Sequence, residues 1–241
     1  MLHLLFTVNR NPFPNFPDFC SMLNKDLFSS FETVEICGEK LFLLPEKAMY
    51  WETKSLLLIA DLHLGKSAHF RKNGIAVPAT AENKNWDLLH HLFQKIQPKR
   101  VNFLGDLFHS VHNKEWEVFS EIIQEYPTIQ FELTIGNHDI LNPRLYKELN
   151  FKLFNSLIEE PFIFTHEPLE IKSQFYNLAG HIHPGVKLKG KGNQKYRLPC
   201  FYFGKDGGLL PAFGSFTGLA TIKVKKGDQV FVIAGEEVVS F

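Results

Sequence analysis

Residues 56–65 read LLLIADLHLG. Five apolar residues, Leu56–Ala60, run without alternation, as expected of a strand buried on both faces. The run leads straight into a carboxylate, Asp61, with an imidazole, His63, two positions on. A buried strand over 55–64 with polar ligands at its end implies a sheet whose carboxyl edge carries chemistry.

Working outward, the same arrangement recurs. RVNFLGDLF (100–108) delivers Gly105 and Asp106, with His109 next. IQFELTIGNHD (129–139) ends in Gly136, Asn137, His138 and Asp139; FIFTHEP (162–168) delivers His166; FYNLAGHIHPG (175–185) delivers Gly180, His181 and His183. Between these runs, 79–97 places Trp86, Leu89, Leu92, Phe93 and Ile96 at three- and four-residue steps, an amphipathic helix that Pro98 ends. A second helix is expected over 113–126, before Pro127. Strands alternating with helices predict α/β layers. ETVEICGEKLFLLPEKAMYW (32–51) reads as a β-hairpin followed by a turn at Pro45, and 196–241 shows strand and turn signals without a helix pattern. Residues 1–30, with prolines at 12, 14 and 17, read as an extension outside a single domain over 31–241.

Each polar strand end alone is also what a turn or a cap requires, since Gly, Asn and Asp favour turns. Turns do not account for histidine returning at these ends. Asp, Asn and His offer oxygen and imidazole nitrogen without thiolate, a donor set suited to divalent manganese, iron or zinc. Composition narrows the rest. Lys plus Arg and Asp plus Glu each number 26, so there is no whole-molecule basic field, although a local basic patch remains open. Three cysteines give no disulfide framework, no run reaches membrane-span length, and MLHLLFTV has no basic n-region or small-residue cleavage site. A cytoplasmic location is expected.

The ordered set D-x-H, G-D, G-N-H-D, a lone strand-end H and G-H-x-H resembles the calcineurin-like metallophosphoesterases. The resemblance implies a four-layer αββα sandwich, two mixed β-sheets flanked by helices, with two divalent ions at one sheet edge. Carried onto this chain, it implies that Asp61, His63 and His183 hold one ion, that Asn137, His166 and His181 hold the other, and that Asp106 bridges them. His138 would face the scissile phosphate as electrophile or general acid, and Asp139 would orient its ring. His109 lies outside that set; a supporting role, a substrate contact and a surface histidine all stay open.

EKAMYWETKSLLLIADLHLGKSAHFRKNGIAVP (46–78), YRLPCFYFG (196–204) and LPAFGSFTG (210–218) resemble the ligase-associated DNA damage response endonucleases of the PdeM family, over about 35–235. The chain departs from that pattern at Leu219, where a glycine is expected, and in the first 30 residues. The resemblance implies a manganese-dependent endonuclease for single-stranded DNA, with iron or zinc as alternative metals, and a DNA ligase and helicase as partners in repair. Lys66, Arg71 and Lys72 after the first motif, and Lys187, Lys189, Lys191, Lys195 and Arg197 after the last, are candidate backbone contacts; a solvated lysine-rich loop is the plain alternative for 187–195. Two rivals remain: a phosphoesterase for small nucleotides or lipid-linked diphosphates, and a non-catalytic scaffold. Cys200 is assigned to packing.

Overall fold

The computed structural model describes residue 28 and residues 30–66, 80–109, 114–189, 194–215 and 217–241. The compact unit runs from Glu32 to Phe241, separate from Met1–Phe31.

The first sheet has seven strands in chain order. β1 (Glu32–Ile36), β2 (Glu39–Leu44), β3 (Ala48–Trp51) and β4 (Leu56–Ala60) form an antiparallel meander. β5 (Arg100–Leu104), β6 (Gln130–Thr134) and β7 (Lys152–Phe154) then join β4 in parallel. The parallel half needs crossovers. These are α1 (Thr80–Ile96) and α2 (Lys114–Gln124); a short α3 (Pro143–Glu148), capped by the Asn142 side chain, precedes β7.

The second sheet contains β8 (Leu157–Glu159), β9 (Phe162–Thr165), β10 (Tyr176–Ala179), β11 (Pro184–Lys189), β12 (Lys195–Phe203), β13 (Gly207–Leu209), β14 (Ala220–Thr221), β15 (Gln229–Ala234) and β16 (Glu237–Ser240). Its order is β14-β11-β12-β13-β10-β9-β8, with the β15–β16 hairpin attached to β12.

The two sheets share one core. Leu41, Leu43, Met49, Trp51, Leu56 and Leu58 of the first meet Phe162, Phe164, Leu178, Phe201, Phe203 and Phe231 of the second. Trp51 stands edge-on to Phe162 with centroids 4.9 Å apart, a favoured aromatic geometry. The other face of the first sheet takes the helices: Phe131 of β6 meets Phe93 of α1, and Phe103 of β5 meets Phe119 of α2. The chain is thus an α/β sandwich of two mixed sheets. Among the described residues no helix is long and apolar enough to cross a membrane.

The strands stop short of the sequence-based bounds. The run expected over 55–64 leaves the ladder at Ala60, because Asp61 takes a left-handed backbone, φ 53°. The expected helices over 79–97 and 113–126 are Thr80–Ile96 and Lys114–Gln124. α3, β7 and β8 were not anticipated; all three are short, and short segments carry little periodicity.

Candidate metal centre

The polar strand ends meet where the carboxyl edges of β4, β5 and β6 face those of β9 and β10. Asp61, His63, Asp106 and His166 are buried, whereas Asn137 and His138 are exposed.

Main-chain bonds build the rim. Past the end of the ladder the Asp61–Leu64 loop runs beside Gly105–Phe108: His63 N donates to Asp106 O at 2.8 Å and Leu64 N to Leu107 O at 2.9 Å. The sheets are stitched by His181 N donating to Asp61 Oδ2 at 2.9 Å and by Phe213 N donating to Ala60 O at 2.8 Å. Close approach explains the motif glycines. A Cβ on Gly105 would lie 2.2 Å from His166 Nδ1, one on Gly136 2.5 Å from Asp106 N, and one on Gly180 2.6 Å from Asp61 Oδ2. Gly214 of the PAFGSF stretch is held the same way, since its Cβ would meet Leu62 O at 2.5 Å.

Two donor sets emerge, Asp61–His63–His183 and Asp106–His166–His181, the ligand atoms in each within 4.8 Å of one another. In the first, His183 Nε2 lies 3.5 Å from Asp61 Oδ1. Among the described residues, Asp61 Oδ1 and both ring nitrogens of His63 are buried without a hydrogen-bond partner. In the second, His166 Nδ1 lies 3.0 Å from Leu104 O. That bond puts the hydrogen on Nδ1 and the lone pair on Nε2. Nε2 faces Asn137 Oδ1 at 2.9 Å, His181 Nδ1 at 3.1 Å and Asp106 Oδ1 at 3.3 Å. The Nε2 lone pair and the Asn137 and Asp106 oxygens at such distances repel unless positive charge lies among them. Asp106 faces both ways: Oδ1 belongs to this cluster, while Oδ2 lies 3.6 Å from His63 Nε2. The donor chemistry and the orphaned buried atoms both fit two divalent ions sharing the Asp106 carboxylate.

Electrostatics favour a neutral imidazole at His63. Burial pulls His63 down to about 2, helped by the positive charge of Lys66 and the neighbouring His183, His109 and His138. Burial also lowers the Lys66 ammonium, while Asp106 and Asp61 oppose that shift; Lys66 is therefore at the metal edge.

His138 belongs to neither donor set. Its N–H donates to Asp106 Oδ1 at 2.9 Å, and its ring centroid lies 5.8 Å from that of His63. The expectation that Asp139 orients the His138 ring needs correcting. Asp139 Oδ2 accepts from Gly136 N and Asp106 N at 2.8 and 2.9 Å, and Oδ1 from Leu107 N at 2.8 Å. Its carboxylate clamps the Asp106 loop to the Asn137 loop. Burial, with the charge of Asp106 adding to it, pushes Asp139 up to about 6, against the pull of the Gly136, Phe108 and Leu107 amides. His109, left open by the sequence, sits with its ring 5.1 Å from His138 and 5.5 Å from His63. The GDLFH spacing was the signal for it, readable only once the loop's path is known.

Of the candidate backbone contacts, Arg71, Lys72 and Lys191 lie outside the described residues, as do most of 1–30. Lys187, Lys189, Lys195 and Arg197 are exposed on β11 and β12. Cys200 is buried, and that burial pushes its thiol up to about 12, in keeping with packing.

A family profile described as calcineurin-like phosphoesterase matches residues 54–235. Among solved structures, the Pseudomonas putida nuclease MPE is similar at 26% identity and a TM-score of 0.73, over 88% of this chain and 100% of that one. The Escherichia coli phosphoesterase Yfce, at 14% identity, 76% and 96% coverage and a TM-score of 0.38, is too distant to bear on the site. The comparison with curated proteins gives no match.

Proposed function

The chain belongs to the calcineurin-like phosphoesterase family and is a metal-dependent phosphoesterase; from that premise we propose that it is a manganese-dependent endonuclease that hydrolyses phosphodiesters in single-stranded DNA. The observation that carries the proposal is the convergence of two lone-pair sets on the two oxygens of Asp106. The similarity to a bacterial nuclease supports a polynucleotide substrate.

In this reading Asp61, His63 and His183 hold one ion, Asn137, His166 and His181 the other, and Asp106 touches both. Ions held there would lower the pKa of a nucleophilic water and draw charge from the phosphoryl oxygens. The protein's own groups do the rest. Burial keeps His63 neutral, so its lone pair is available to a metal. Asp139 fixes the loop that carries Asp106. His138, exposed at the rim, gives its proton to the departing oxygen. Lys66, Arg71, Lys72 and Arg197 contact the DNA backbone. The setting is cytoplasmic DNA repair beside a ligase and a helicase.

The test is incubation of the purified chain with circular and linear single-stranded DNA, with manganese, iron, zinc or chelator. Circles should be opened, fastest with manganese and not at all in chelator. Intact circles alongside brisk hydrolysis of an aryl phosphodiester would replace this reading with a small-substrate phosphoesterase. Absence of both activities with every metal would favour the scaffold.

A further inference from the structure

β11 and β12 form a hairpin whose register places Lys187 directly opposite Arg197 and Lys189 directly opposite Lys195. Residues directly opposite in an antiparallel pair share a face, and like charges so placed destabilise the pair. All four side chains are exposed, and among the described residues none meets an acidic group; Arg197 Nη1 donates weakly to Leu219 O at 3.4 Å. The alternate residues go to the other face. There Val186 and Cys200 pack with Val230 and Val232, and Leu188 and Leu198 lie against them. Period-two alternation thus gives the hairpin an apolar face that anchors it and a basic face left open.

The direction of that basic face follows from register. Lys195 and Arg197 share the side of β12 that carries Phe201 and Phe203, both in the core between the sheets. Along the sheet, Ala179 of β10 is level with Thr165 of β9 and with Leu209, which is level with Tyr202 of β12. His166 and His181 follow just past Thr165 and Ala179. β12 passes the same level in the same direction from Phe201 to Lys195, roughly 20 Å at strand rise. The hairpin therefore overhangs the metal edge, its basic face turned to the side where the donor sets lie.

We propose that the β11–β12 hairpin is a backbone-tracking arm: Lys187, Lys189, Lys195 and Arg197 neutralise successive phosphates of a single strand leading away from the metals. This rests on the DNA reading above and adds to it a path for the strand. One two-residue step, about 6.7 Å, separates the Lys187–Arg197 pair from the Lys189–Lys195 pair, a spacing that neighbouring phosphates of an extended sugar–phosphate chain can match. Lysines also guard sheet edges, but guarding does not require them to be opposed on one face.

The test uses the full chain carrying K187Q/K189Q/K195Q/R197Q. Binding of a fluorescent oligothymidylate is followed against salt, and cleavage of the same strand is compared with hydrolysis of an aryl phosphodiester. Four lost contacts should reduce the salt slope by about three, and the loss on DNA should exceed the loss on the aryl diester by at least about tenfold. An unchanged slope would overturn the arm while leaving a DNA endonuclease in place. A wild-type chain that hydrolyses the aryl diester but neither binds nor cuts DNA would overturn the reading beneath it, and the arm with it. K189Q alone, an exposed change that relieves an opposed pair, guards against misfolding: its thermal midpoint should hold or rise, and its salt slope should fall by about 0.7.

Discussion

Asp106 is the most exposed to test, because each of its oxygens faces a different donor set. Asp106→Ala should leave activity undetectable and reduce bound metal, measured by elemental analysis; full turnover would break the shared-carboxylate reading. The His138 side chain belongs to neither donor set, and its contact with Asp106 is through the backbone N–H, so His138→Ala should retain its metal. Its DNA cleavage should fall by roughly 10²-fold or more, as for loss of a general acid. The aryl diester, whose leaving oxygen needs no proton, should lose less, and equal losses would argue against proton donation. His63 sets a pH dependence in the metal-free protein. Unfolded, it takes up a proton near its ordinary 6.5; folded, it stays neutral to about 2. Between those values the unfolded state holds the extra proton, so stability falls as pH falls below about 6.5. Thermal midpoints of metal-free protein should drop from pH 7 to pH 5, and less steeply in His63→Gln.

The strand ends show why these elements stop where they do. Asp61, His63, Asp106, His181 and His183 all have positive φ, between 49° and 64°. Left-handed backbone at a non-glycine residue costs on the order of 1 kcal/mol each. Five such residues at one edge turn the chain sharply out of the ladder and aim side chains back over it. Gly105, φ 74°, has a second constraint, since its missing Cβ leaves room for the His166 ring. Gly105→Ala should displace that ring from Leu104 O and weaken the Asp106–His166–His181 set. Less metal per chain, together with a normal far-ultraviolet circular dichroism spectrum, would bear this out; full metal content would refute it. The strand ends and their ligand types were legible because buried strands read as apolar runs and polar residues interrupt them. The partners of Asp139 were not. Its carboxylate serves amides 31 to 33 positions upstream as well as that of Gly136, and no local pattern records such a bond.

The assembled sandwich holds unpaired lone pairs at its edge and should be stabilised by what satisfies them. At manganese about a hundredfold above its dissociation constant the gain is about 2.7 kcal/mol, or roughly 5–10 °C in thermal midpoint for a domain of this size. A midpoint indifferent to manganese and chelator would contradict the donor-set reading. The linear order of hydrophobic runs and breaks already specified alternating strands and helices, the kinds of ligand and the family resemblance, because periodicity and residue chemistry are local properties. Folding settled the rest. Which ligands face which oxygen of Asp106, where His109 stands, and how the β11–β12 hairpin overhangs the edge all depend on register between strands far apart in the chain. Register comes from packing two sheets on one core, where a slip of one residue would turn every buried side chain to the wrong face.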